Sequence, residues 1–111
     1  MQRLFVIDDP IPDYAEFLIS VDISKWLGTE EINSVTFTAK NKSTGDTATT
    51  TAIDTTKCTY TATVVKPFIK GTSDGETYIV TMQVASDGTP VSKEEFYLEF
   101  SYKTNIPGIG D

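Results

Sequence analysis

Tyr78-Ile79-Val80-Thr81-Met82-Gln83-Val84 is the stretch that decides the fold. Successive side chains of a strand point to opposite faces. Tyr78, Val80, Met82 and Val84 therefore share one apolar face, and Ile79, Thr81 and Gln83 the other. The same parity returns beyond the Asp-Gly turn Ser86-Asp87-Gly88-Thr89-Pro90, where Phe96, Leu98 and Phe100 alternate with Tyr97, Glu99 and Ser101. Two such runs across a short turn predict a hairpin. Its register is strict, because a slip of one residue would turn every inward side chain to water.

Upstream of this hairpin, period-two patterning persists and the helical period is nearly absent. Leu18 to Ile23 reads as the first firm strand. Val35 to Ala39 reads as the second, with Val35, Phe37 and Ala39 inward. Asn41 to Asp46 is a turn cluster. Thr47 to Ile53, thin in apolar residues and free of charge and proline, reads as an edge strand. Lys57 to Val65 reads as a longer strand stopped by Pro67, with Cys58 on the same face as Tyr60 and Ala62, a setting for a buried, inert thiol. Phe68 to Lys70 resumes pairing briefly, and Ser73 to Glu76 turns the chain. One segment departs from the pattern: in Ile23 to Glu31, Ser24 is placed to cap a single helical turn that Gly28 ends. The only tryptophan, Trp26, lies on that turn, where it covers an open end of the fold or serves as a docking residue.

These strands predict an all-β domain, an immunoglobulin-like β-sandwich of about seven antiparallel strands. With one cysteine in 111 residues it has no intrachain disulfide. Residues 1–12 form an extended lead-in, 13–103 the sandwich and 104–111 a flexible tail. The net charge of −7 opposes binding to nucleic acid or to an anionic membrane. No apolar run is long enough for a signal peptide or a membrane helix, so the chain is expected to be made in the cytoplasm.

Catalytic constellations are scarce. Without histidine, Ser-His-Asp and Cys-His chemistry is excluded, and no glycine-rich phosphate loop follows a strand. Glu94, Glu95 and Glu99 sit in or beside the last strand and read as a solvated face rather than a glycosidase pair. Asp8, Asp9, Asp13 and Glu16 are the nearest approach to a calcium set, but they lack the D-x-D-x-D-G spacing. The two prolines among them, Pro10 and Pro12, give a simpler account, an extended segment. No cofactor, metal or enzymatic activity is expected. Tyr14, Phe17, Trp26, Tyr97 and Tyr102 form the residue-level case for a carbohydrate platform.

Asp13-Tyr14, the segment Val21-Asp22-Ile23-Ser24-Lys25-Trp26-Leu27-Gly28 followed by Ile32-Asn33-Ser34-Val35-Thr36-Phe37, and Gly75-Glu76-Thr77-Tyr78-Ile79-Val80-Thr81 stand together. Over roughly residues 13–102 the chain resembles small bacteriophage and prophage proteins described as fibre-tail adaptors or virion-associated Ig-like proteins. Met1 to Pro10 and Thr47 to Thr56 depart from that pattern. The resemblance implies a non-enzymatic virion protein that contacts other virion proteins, with a homo-oligomer compatible with that role. A carbohydrate-binding or cell-surface Ig-like adhesion module is the alternative. The candidate interaction residues are Thr49 and Thr51 on the uncharged edge, Leu4, Phe5, Val6 and Ile7 in the apolar lead-in, and Trp26. The lead-in adds a strand either to its own sheet or to a neighbour's.

Overall fold

A computed structural model describes residues 3–8, 10–12, 15–70 and 76–102. The expectations for Asp9, Asp13, Tyr14, the turn at 73–75 and the tail at 104–111 lie outside the described residues. The protein is mostly β. Its elements are β1 (Leu4–Val6), β2 (Phe17–Leu18), β3 (Val21–Asp22), α1 (Ser24–Leu27), β4 (Ile32–Asn41), α2 (Thr49–Ala52), β5 (Thr59–Tyr60), β6 (Val64–Lys66), β7 (Phe68–Ile69), β8 (Thr77–Ser86) and β9 (Lys93–Ser101).

The hairpin of β8 and β9 forms in the expected register, with Tyr78 opposite Phe100, Val80 opposite Leu98 and Met82 opposite Phe96. Both rows are buried. β4 extends this sheet on the β8 side, with Val35, Phe37 and Ala39 opposite Val84, Met82 and Val80. At the hairpin tip the buried Ser86 hydroxyl accepts the Ser92 and Gly88 amides, at 3.0 and 3.3 Å. On the far side β1 pairs with β9 in parallel, Phe5 opposite Leu98. The lead-in thus adds a strand to its own sheet, whose order is β1-β9-β8-β4.

The second layer is built from β2 and β3 against β7 and β6, with β5 beyond. Pro67 explains why each of its long strands is interrupted. It stands opposite Ile19 and offers a carbonyl to the Ile19 amide at 3.0 Å, but has no N–H to return. Register carries through the gap, from Leu18 opposite Phe68 to Val21 opposite Val65. One buried cluster joins the layers, with Val21, Ile23, Val65 and Ile69 from one and Val80, Met82, Phe96 and Phe100 from the other.

Three sequence expectations need correction. The long strand from Lys57 is a hairpin: after a turn, β5 pairs back on β6, and Thr61 N–H bonds Val64 O at 2.8 Å. No Gly, Pro or Asn marks that reversal, so alternation alone could not reveal it. Tyr60 and Ala62 are consequently exposed and Cys58 is half-buried. Asp22, not Ser24, closes the start of α1, its Oδ1 accepting the Ser24 amide at 2.9 Å. That bond and one from the Ser24 side chain hold the Asp22 carboxyl below its ordinary range. Gly28 ends the helix as expected, at φ 64°, a conformation that costs other residues strain. Finally, Thr47 to Ile53 is no strand: α2 occupies its middle, and Ile53 then bridges to Ile69 in the second layer. Ala48 and Ala52, four apart on one helical face, are buried.

Trp26 is half-buried and meets Phe96 edge-on, with centroids 5.6 Å apart and planes at 75°. Truncating Phe96 to Ala should destabilise by about 4 kcal/mol. Trp26→Ala, which loses partial burial and one aromatic pair, should cost about 2 kcal/mol. Denaturant unfolding of both variants checks this order.

Candidate functional site

A fold of two open sheets offers its partners faces and edges, and the edges are unequal. On one side β4 lies beside β5. The Tyr60 hydroxyl donates to Asn33 O at 2.8 Å, and the Ile32 amide donates to Ala62 O at 2.8 Å. Further along, Ala48 N–H bonds Ala39 O at 2.8 Å, and Thr49 Oγ1 accepts the Ala39 amide at 3.1 Å. This side is tied shut at both ends. By elimination, β1 and the β2–β3 strand border the opposite side.

β1 and β2 carry most of the apolar exposure. Among the described residues, the exposed large hydrophobics are Leu4 at 45%, Val6 at 49%, Phe17 at 37%, Leu18 at 46%, Tyr60 and Val91. Four of these six belong to β1 and β2. Phe5 and Ile7 pack against the core, so the lead-in alternates between anchoring and exposed side chains. Arg3 fixes its start through an ion pair with Glu94 at 2.9 Å, and Tyr97 N–H bonds Arg3 O at 2.8 Å.

The structure separates the other sequence candidates. Thr49 is half-buried and spends its hydroxyl on the β4 backbone, whereas Thr51 is exposed on α2. Neither lies on extended backbone to which a partner strand can add. Trp26 sits on α1 and packs against Phe96. The aromatic platform disperses: Tyr102 is buried with its hydroxyl on the Ala52 and Lys70 carbonyls, Tyr97 projects from the first sheet, and Phe17 lies on the second.

On the outer face of the first sheet a shallow depression of about 490 Å³ is lined by Ser34, Thr36, Gln83, Ala85, Lys93 and Glu95. Both Glu95 oxygens are engaged, one by Gln83 Nε2 at 2.7 Å and the other by the Tyr97 hydroxyl at 3.0 Å. The Gln83 bond, then that of Tyr97, holds the Glu95 carboxyl below its usual range. A glycosidase acid needs the opposite shift. Glu99 pairs with Lys42 at 3.1 Å. Cys58 donates to Asp54 O and accepts from the Phe68 amide, both at 3.3 Å, and burial pushes its thiol up, which keeps it protonated and unreactive. Among the described residues no three His, Cys, Asp or Glu side chains gather as a metal set, and no helix is long and apolar enough to cross a membrane.

The described residues thus offer open sheet edges, exposed apolar side chains on β1 and β2, and carboxylates engaged by their neighbours. The chain belongs to the podophage GP4 fiber-tail adaptor protein gp77 family, whose sequence model matches residues 14–99. No curated protein and no solved structure matches it significantly.

Two outcomes test this placement of groups. Thr49→Val should cost about 1 kcal/mol by leaving the Ala39 amide without its acceptor, while Thr51→Lys should stay within about 0.5 kcal/mol; equal effects in thermal unfolding would contradict the assignment. The pH test follows from Glu95. Its folded pKa is depressed, so its stabilisation is present above the ordinary value of about 4.3 and is lost as pH falls through the folded value. The stability difference between wild type and Glu95→Gln should therefore move in the variant's favour on acidification, measured by unfolding across pH 3 to 7.

Proposed function

We infer that the protein is a structural adaptor of a phage tail, resident in the virion, and that it joins other virion proteins by surface contact without catalysis. Membership of the fibre-tail adaptor family supports the setting. The observation that carries the surface is the exposure of Leu4 and Val6 on β1 and of Phe17 and Leu18 on β2, the strands that end the two sheets on the side away from β4 and β5. Isolated apolar side chains on a surface need no explanation, but four on two sheet-ending strands mark an edge suited to interaction. The net charge of −7 favours protein partners over nucleic acid.

The scaffold for this role is an immunoglobulin-like sandwich. Counting β2 with β3 and β6 with β7, each pair interrupted at the Ile19–Pro67 position, reduces the nine strands among the described residues to seven. The order β1-β9-β8-β4 facing β2/β3-β7/β6-β5 supports that reading, with the first strand moved beside the last.

Val6→Asp combined with Leu18→Asp changes exposed positions only, so stability should move by less than about 1 kcal/mol. Incorporation into particles, measured by complementing a phage that lacks the gene, should fall sharply. Wild-type incorporation of this soluble double variant would overturn the surface assignment.

A further inference from the structure

We propose that the free edge of the β2–β3 strand is a strand-acceptor site, which an extended segment of a different virion protein completes by adding a strand to the second sheet. The inference rests on the adaptor reading above and deepens it.

Backbone parity is the basis. Ile19 N–H bonds Pro67 O at 3.0 Å and Ile23 N–H bonds Thr63 O at 3.1 Å. Odd-numbered residues of this strand therefore direct their N–H and C=O groups inward along the sheet, toward β7 and β6. Residues Leu18, Ser20 and Asp22, which alternate with them, direct theirs to the free edge. None of these backbone groups has a partner among the described residues. The open row spans four residue steps, roughly 14 Å of strand, with no proline within it and no charge before Asp22. The edge of β4 differs, being closed at Ala39 by Ala48 and Thr49 and covered at Asn33 by Tyr60.

A vacant strand position also explains the partial exposure around it. Phe5, Ile7 and Ile19 are only half-buried, and Phe17 is exposed at 37%. All four lie where the two sheets meet at the β1 side. A strand laid along Leu18–Asp22 would present every second side chain to this gap, so the occupant needs apolar residues at alternate positions. Glu16 and Asp22 stand exposed at the two ends of the row, which calls for Lys or Arg flanking the apolar core of the occupant. A second copy of this chain fits poorly, because it brings the same edge carboxylates and the same net charge of −7 into contact with their like.

Ser20→Pro removes one edge-facing N–H while sparing the bonds this strand makes to β7 and β6, as proline is tolerated where the N–H faces outward. Its melting temperature should match that of Ser20→Ala, and its incorporation into particles should fall about tenfold, the effect of one lost hydrogen bond and one carbonyl left buried without a partner. A photo-crosslinking amino acid at position 20 of the otherwise wild-type chain, activated in intact particles, should capture a different virion polypeptide within an extended segment bearing Lys or Arg. Normal incorporation of a stable Ser20→Pro variant would overturn strand addition, as would an adduct confined to a second copy or no adduct at all. Should Ser20→Pro destabilise the domain, the crosslink alone decides. If Val6→Asp with Leu18→Asp blocks incorporation while Ser20→Pro does not, the docking side stands and strand addition fails. If neither variant matters, the surface assignment itself fails.

Discussion

The pairing of β8 with β9 is the constraint on which the other elements depend. It aligns two inward rows, Tyr78-Val80-Met82-Val84 and Phe96-Leu98-Phe100, whose members are at most 4% exposed. β4 and β1 attach to its two outer sides, and the second sheet packs across its inner face. With one cysteine in the chain and so no intrachain disulfide, the cohesion rests on this apolar layer. Trp26 closes its upper end by packing on Phe96, and Tyr102 closes its lower end through the Ala52 and Lys70 carbonyls.

Edges are managed by different means on the two sides. β4 would be a ten-residue edge with no charge from Ile32 to Ala39, the kind that invites uncontrolled pairing. The crossover through α2 lays Ala48 and Thr49 along it, and Tyr60 reaches over from β5. A segment that looks in sequence like a surplus strand is thus a guard for another strand. Among the described residues the β2–β3 edge has no such cover, and the lead-in pairs with β9 instead.

The central hairpin was legible because alternation and burial coincide along it: one face is wholly covered, so every second residue had to be apolar. Legibility failed where a pattern had two physical solutions. Ala48 and Ala52 are four positions apart, which fits both a strand face and a helical turn, and the threonines between them favour strand. The reversal at Thr61 to Thr63 lacks any residue whose dihedral preference announces a turn. As for the lead-in, Leu4 to Ile7 identified itself as strand-forming, but nothing local specifies that its partner lies more than ninety residues away at Leu98. Leu4, Phe5, Val6 and Ile7 could be named together as an apolar candidate, whereas their division into exposed Leu4 and Val6 and packed Phe5 and Ile7, and the exposure of Phe17 and Leu18, follow only from the assembled sheets.

The parallel pairing of β1 with β9 has a mechanical consequence. Because the two strands run in the same direction, the chain enters the sheet at Arg3 beside Tyr97 and leaves it beyond Ser101, toward opposite ends of the ladder. A pull applied to the two ends draws β1 and β9 past each other along their length. The bonds from Tyr97 to Arg3, from Ile7 to Glu99 and from Ile11 to Ser101 then bear the load together and in shear, whereas a hairpin pulled from its open end gives way one bond at a time. For a component held between the parts of a tail, this arrangement places the resistance to tension in the first strand and the last.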